Sequence, residues 1–147
     1  MKHVQLLSAA LILGSCAAPK IYEMTAGEKR FTDSLSVSCD CKATIEKDYA
    51  VEYEEHPEGI IYLELNYNES KHNYCMNDSI ELMDLSQGIS RRFAGIMSNK
   101  QHYKSIAINF YSSGNSVSGM ETPTCDRTFI YDIAGSKLVD YLESNRK

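Results

Sequence analysis

The sequence predicts an α+β fold in which an antiparallel-rich sheet carries two helices on one face. Three observations lead to this prediction. Several short segments alternate apolar and polar residues, two longer segments repeat apolar residues at spacings of three and four, and the order of the segments is β-β-β-α-β-β-α. The chain of 147 residues is long enough for one domain, and 43% hydrophobic with 24% charged residues is typical of a globular protein.

The first strands are expected on both sides of a turn at "HPEG", residues 56–59. The odd positions from Leu35 to Ile45 are mostly apolar and predict a strand over residues 34–46. The same parity resumes at residues 49–54, and "IIYLELNYN" (60–68) alternates clearly. These last two segments and their turn predict a β-hairpin.

The longest periodic segment predicts a helix over residues 78–98, with Asn77 or Asp78 as the N-cap. Its apolar stripe consists of Leu82, Leu85, Ile89, Phe93 and Ile96. Strands are expected in "KSIAINFYS" (104–112) and "TFIYD" (128–132), separated by a loop rich in Ser and Gly. A closing helix is predicted in "AGSKLVDYLESN" (134–145), because Leu138, Tyr141 and Leu142 lie at helical spacing.

The first fifteen residues differ from the rest of the chain. Lys2 and His3 form a short polar start, and residues 4–13 are mostly apolar. Ten residues rise only about 15 Å as a helix, which is half of a bilayer core, so this segment is typical of a secretory signal and not of a membrane span. The signal ends in "LGSC", residues 13–16.

At "LGSC" the chain resembles bacterial lipoproteins, whose lipobox is a Leu, two small residues and a Cys. The resemblance is limited to the export signal. It implies cleavage after Ser15 and acylation of Cys16, so that residues 1–15 are a signal peptide, 16–30 a lipidated tether and 31–147 the folded domain. Two or three acyl chains anchor a protein stably, whereas one does not. Ala17 is not the Asp that retains many lipoproteins in the inner membrane, and we expect an outer-membrane anchor facing the periplasm.

Within the tether, Thr25 and Glu28 have the spacing of a capping box, which is compatible with a single helical turn. The net charge of −5 provides no excess of Lys and Arg, and this argues against nucleic-acid binding.

The remaining four cysteines are an even number in a compartment that permits disulfides. Cys39 and Cys41 lie two apart on the predicted strand, so their thiols would point to one face and each would reach a different partner. Two disulfides are therefore expected, either 39–75 with 41–125 or 39–125 with 41–75. A less favoured alternative is a metal site formed by Cys39, Cys41, His72 and Cys75, which offer the nitrogen and sulfur ligands of zinc or copper(I).

Two tripeptides, "DSL" (33–35) and "DSI" (78–80), resemble the O-glycosylation signature of some bacterial periplasmic proteins and mark Ser34 and Ser79 as acceptors. Glutamates 52, 54, 55 and 58 predict a solvated acidic hairpin tip. No spacing of Ser, His, Asp or Glu indicates a catalytic site, and no cofactor motif is present.

The sequence thus predicts a lipid-anchored envelope protein with a binding or structural role. Candidate binding surfaces are the sheet face that carries Tyr62 and the Ser/Gly loop at residues 112–119. One alternative is a small inhibitor or immunity lipoprotein whose acidic tip meets a basic partner enzyme. Another is metal handling through the Cys and His residues named above.

Overall fold

A five-stranded mixed sheet forms the centre of the fold in the computed structural model, which describes residues 24–46, 59–71, 74–98, 100–114, 123–134 and 137–143. Its helices and strands are α1 (Ala26–Cys39), β1 (Lys42–Glu46), β2 (Ile60–Asn66), α2 (Ser79–Ile96), β3 (Ser105–Ser113), β4 (Pro123–Asp132) and β5 (Leu138–Glu143). Short 3₁₀ turns occur at Tyr74–Met76 and Lys100–His102.

The strands lie in the sheet in their chain order, from β1 to β5. All neighbours are antiparallel except β2 and β3, which pair in parallel and are connected through α2. A parallel pair requires such a crossover because the chain must return to the same end of the sheet. The prediction of an α+β fold with a mostly antiparallel sheet is confirmed.

One face of the sheet, the covered face, packs against both helices. Its central residues are 0–2% exposed: Ile61, Leu63, Leu65, Ile106, Ile108, Phe110, Phe129 and Tyr131. Leu82, Ile89 and Phe93 of α2 and Leu35 and Cys39 of α1 belong to the same apolar cluster. The alternation that was visible in the sequence therefore separates this face from the opposite one.

The helix predicted over 78–98 is confirmed as α2. Its N-cap is Asp78, whose side chain accepts hydrogen bonds from the backbone N–H groups of Ile80 and Glu81, each at 2.9 Å. The strands expected in residues 60–68, 104–112 and 128–132 are confirmed as β2, β3 and the second half of β4.

The strand predicted over residues 34–46 is wrong in its first part. Helix α1 continues to Cys39, Asp40 adopts a left-handed conformation with φ of 48°, and β1 begins only at Lys42. The single turn allowed after Thr25 is the start of this helix, and the Thr25–Glu28 capping box is present. The other segment of the predicted hairpin, residues 49–54, lies outside the described residues.

The closing helix predicted over 134–145 is also wrong, because residues 138–143 form the strand β5. The pairing of β4 with β5 contains an irregularity between Ile130 and Tyr131. As a result Leu138 pairs with Tyr131 and Tyr141 pairs with Phe129, so two residues three apart lie on the same face. Because of this irregular pairing, apolar residues three apart on an edge strand have the same sequence spacing as one turn of a helix.

Both predicted disulfide pairings are wrong. Cys75 is bonded to Cys125, with 6.0 Å between their Cα atoms, and Cys39 and Cys41 are free thiols. The prediction assumed that Cys39 and Cys41 lie on one strand, but Cys39 is the last residue of α1 and Cys41 lies in the turn before β1. The bond that forms instead joins the 3₁₀ turn before α2 to β4, next to Phe110 of the core.

Candidate functional site

The sheet face opposite the helices, which includes Tyr62 as expected, is the first candidate surface. We call it the polar face and define it by nine partly exposed residues: Thr44, Glu46, Tyr62, Glu64, Asn66, Asn109, Tyr111, Asp126 and Thr128. Strand pairing arranges them in rows, of which Thr44, Glu64, Asn109 and Thr128 form the middle one.

Asn109 connects two strands at the centre of this face. Its amide nitrogen donates to the Asp126 carboxylate at 2.8 Å and to the Thr128 hydroxyl at 2.9 Å. The amide nitrogen of Asn66 lies 3.4 Å from the Glu64 carboxylate. These hydrogen bonds fix the side chains in place, so the polar face presents an ordered array of oxygen atoms.

A shallow concavity of about 290 Å³ lies across this array. It is lined by Glu46, Tyr62, Glu64, Asn109, Tyr111, Asp126 and Thr128. Ala107, a small buried residue between Tyr62 of β2 and Ile130 of β4, forms part of the neighbouring row. The two tyrosines in the lining of the concavity provide flat apolar surface with a polar end, a combination that is common in protein interfaces.

The charge of the polar face is negative. Glu46, Glu64 and Asp126 contribute three carboxylates to it. Among the basic residues of the described strands, Lys42 lies on the same face as these carboxylates. Arg127, the other basic strand residue in this part of the chain, is turned away from it. Its Nε donates to Glu143 at 3.0 Å and its Nη1 donates to the backbone oxygen of Asn77 at 2.7 Å.

A second region lies where α1 turns into β1, and it contains the two free thiols. Cys39 is buried and Cys41 is half-buried, and both are close enough to Tyr67 to affect its ionisation electrostatically. The Tyr67 side chain is 2% exposed, and its hydroxyl interacts with the Cys41 thiol without making a regular hydrogen bond to any described group.

Burial dominates the ionisation of this second region. It raises the pKa of the Cys41 thiol from 9.0 to about 12, with a smaller contribution from Cys39, while the Tyr67 hydroxyl opposes the rise. Burial also raises the pKa of Tyr67, and the two thiols add to the effect. Cys41 is therefore a neutral thiol near pH 7 and a poor nucleophile, which does not suit covalent catalysis.

A polar cavity of about 420 Å³ borders Cys41. Its lining consists of Ser36, Asp40, Cys41, Lys42, Asn66, Asn68, Glu69 and Ser70. Several of these groups already have partners, since Asp40 accepts from the Lys71 N–H at 2.9 Å and Asn68 accepts from the Ser113 N–H at 2.6 Å.

The four-ligand metal alternative loses Cys75, which is part of the disulfide. His72 lies outside the described residues, and among those described no three His, Cys, Asp or Glu side chains gather at a metal-binding distance. Of the four proposed metal ligands, Cys39 and Cys41 are free thiols in the described part of the chain.

The predicted acceptor serines are both exposed but lie in different settings. Ser34 is in the middle of α1, directly before the buried Leu35. Ser79 is the first residue of α2, and its hydroxyl lies 3.5 Å from that of Tyr141. Cys16, the acidic residues 52–58 and most of the loop 112–119 lie outside the described residues.

The ordered part of the polar face was only partly visible in the sequence. The alternation identified Tyr62, but it gave no reason to single out Asn109 and Asp126, which are 17 residues apart. The signal that could have found them is the antiparallel pairing of β3 with β4, which sets Asn109 opposite Thr128.

No helix in the described part of the chain has the length and apolarity needed to cross a bilayer. No protein-family model matches the chain, and neither a curated protein nor a solved structure is significantly similar to it.

Proposed function

We propose that this chain is a lipid-anchored protein of the bacterial envelope that binds a basic protein partner through its polar face. The anchor is the acylated Cys16 of the lipobox, and the expected location is the periplasmic side of the outer membrane. The role is one of binding, not catalysis. The observation that carries the proposal is the contrast between a fully packed covered face and a polar face that is ordered, acidic and partly exposed.

Charge complementarity favours a basic partner. The polar face has three carboxylates around one concavity, and residues 47–58, which connect β1 to β2, contain five acidic residues and one lysine. The partner would place lysine or arginine side chains over Glu46, Glu64 and Asp126. An inhibitor or immunity lipoprotein that covers a basic enzyme surface is a more specific form of this role, favoured by the same charge pattern.

The binding surface is tested with a lysine-rich nonapeptide and the full chain in detergent, by fluorescence anisotropy at low and high salt. The double variant Glu64→Gln/Asp126→Asn should bind at least several-fold more weakly, and the wild-type affinity should fall with salt. The matched control Asp33→Asn/Asp84→Asn removes the same charge from the exposed surfaces of the two helices. Equal affinities of the two double variants would exclude the polar face as the site.

The anchor is tested separately by Cys16→Ser. This variant should leave the membrane fraction and retain the fold, because Cys16 precedes the described domain and does not take part in the Cys75–Cys125 bond. If the variant remains in the membrane fraction with a folded domain, the lipoprotein assignment is wrong while the binding surface is unaffected.

A further inference from the structure

We propose that Cys39 and Cys41 form a two-sulfur site for a thiophilic monovalent cation, with copper(I) as the ion whose chemistry fits best. The site lies between the end of α1 and the start of β1, and the cavity beside it shares Asn66 with the polar face. It is independent of the partner-binding role proposed above.

The backbone turns sharply at Asp40, between the two cysteines. Asp40 is the C-cap of α1, and its left-handed conformation, with φ of 48° and ψ of 50°, turns the chain sharply between Cys39 and Cys41. The backbone N–H groups of Asp40 and Cys41 both bond to the carbonyl oxygen of Ser36, at 3.1 Å for Cys41. Both cysteines pack on the apolar cluster, and each contributes to the electrostatic environment of the same tyrosine.

The oxidation state of the four cysteines supports two separate roles. Cys75 and Cys125 are bonded to each other, while Cys39 and Cys41 are thiols, so the second pair is not needed to crosslink the fold. Thiolate sulfur selects soft metal ions such as copper(I). Two sulfurs suffice for copper(I), which accepts linear coordination, whereas structural zinc requires four ligands.

Tyr67 is the second observation that points to a ligand. Its side chain is 2% exposed, its hydroxyl has no regular hydrogen bond within the described chain, and that hydroxyl faces the Cys41 thiol. A buried hydroxyl that faces only a thiol is poorly satisfied, because a thiol is a weak acceptor and a thiolate is a stronger one. Metal binding would convert the thiol into that acceptor and satisfy Tyr67.

The polar cavity beside Cys41 provides the route of entry. Cys41 and Lys42 both line it, and the cavity is about 420 Å³ in volume, which is ample for a small copper(I) complex. Binding of Cu⁺ to two thiols forms two Cu–S bonds and releases two protons, with no change in the oxidation state of copper or sulfur. The resulting complex of one copper(I) with two thiolates carries one negative charge. The cavity lining beside Cys41 contains one basic residue, Lys42, and two acidic residues, Asp40 and Glu69.

The proton balance gives the expected pH dependence. Because binding of copper(I) to two thiols releases two protons, the affinity should increase as the pH rises from 6 to 8. Asp40, Lys42, Glu69, Tyr67 and Cys39 are the other titratable groups around the Cys41 thiol.

The test uses the full lipidated chain in detergent under argon, titrated with a copper(I) acetonitrile complex against the chelator bathocuproine disulfonate. Wild-type protein should retain one copper(I) per chain and show a copper–thiolate absorption band in the ultraviolet. Cys41→Ser should lose both, and the control Ser70→Ala, which changes the cavity lining without removing sulfur, should retain both. Tyr67→Phe should keep the stoichiometry and weaken the affinity roughly 2- to 10-fold, the effect of one hydrogen bond.

Two results would overturn the site. One is removal of copper(I) by the chelator equally from wild type and Cys41→Ser, with circular dichroism showing that both are folded. The other is peptide mapping of alkylated protein that finds Cys39 and Cys41 bonded to each other. Cys41 is the preferred variant because it is half-buried, whereas replacement of the buried Cys39 would also disturb the core.

Discussion

The two faces of the sheet are made of the same strands and have opposite roles. On β3, Ile106, Ile108 and Phe110 are fully buried beneath the helices, whereas Asn109 and Tyr111, whose side chains lie on the opposite face, are partly exposed. The covered face is fixed by packing, and the polar face is fixed by hydrogen bonds between side chains of neighbouring strands. The stability of this protein and its proposed binding surface therefore depend on different residues of the same backbone.

The contrast is tested most directly by two adjacent substitutions on β3. Ile108→Ala should lower the free energy of unfolding by roughly 2–5 kcal/mol, because it leaves a cavity in the core. Asn109→Ala should lower it by only about 1 kcal/mol, since its hydrogen bonds are partly exposed to water. Urea denaturation measures both values, and a loss of similar size for the two variants would contradict the assignment of the faces.

The disulfide beside the covered face comes next in expected effect. Removal of the bond in Cys75→Ala/Cys125→Ala should cost roughly 2–4 kcal/mol, because the bond closes a loop between residues 50 apart in sequence. Cys41→Ala is the matched control and should change the urea midpoint little. If the double variant is as stable as wild type, the bond contributes nothing to the fold.

A buried carboxylate supports the covered face at one end. Glu28 is fully buried, and its carboxylate accepts hydrogen bonds from the backbone N–H and the hydroxyl of Ser98, each at 3.0 Å, and from the Thr25 N–H at 2.8 Å. Glu28→Gln should destabilise the protein by roughly 1–3 kcal/mol, because hydrogen bonds to a charged group are replaced by weaker ones. Glu81→Gln, on the exposed side of α2, should have an effect within about 0.5 kcal/mol.

The smallest expected effect is a loss of stability in alkaline solution caused by ionisation of Cys41, which lies at the margin of the covered face. The pKa of Cys41 is 9.0 when the chain is unfolded and about 12 when it is folded, so the unfolded state loses this proton first. The contribution of Cys41 to stability is complete below pH 9 and is lost progressively as the pH rises from 9 to 12. The buried tyrosines Tyr67 and Tyr131, whose pKa values burial also raises, act in the same direction at higher pH.

Thermal unfolding from pH 8 to pH 10 measures this effect. Cys41→Ser cannot ionise in this range, so its melting temperature should fall less steeply than that of wild type between pH 9 and 10. Parallel curves for the two proteins would show that the thiol does not have a raised pKa.

The sequence was most informative where one periodicity was undisturbed. α2 has an apolar stripe and a capping Asp78, and β2 alternates strictly, so both were predicted nearly to their ends. α1 was missed because its buried positions are Glu28, Thr32, Leu35 and Cys39, and the first two are polar. The four buried positions of α1 have helical spacing. Because a carboxylate and a hydroxyl occupy two of them, the periodicity of apolar residues did not indicate a helix.

The errors near the cysteines and at the end of the chain have specific physical causes. Ser and Val occupy alternate positions in part of α1, a pattern that is typical of a strand. The resulting strand prediction placed Cys39 and Cys41 on one face and led to the wrong disulfide pairings. In β5, an irregularity in pairing placed Leu138 and Tyr141 on one face. Of the polar face, Tyr62 was predicted, but the bonds from Asn109 depend on strand pairing, which composition and periodicity do not determine.

The parallel pairing of β2 with β3 has a consequence for the order of folding. Ile60 lies opposite Ser105, so this pair joins residues 45 apart in sequence, and the intervening chain contains the whole of α2. Contacts between distant residues slow the search for the native state. We therefore expect the β3–β4 and β4–β5 hairpins to assemble first, and the joining of β2 to them to set the folding rate of the domain.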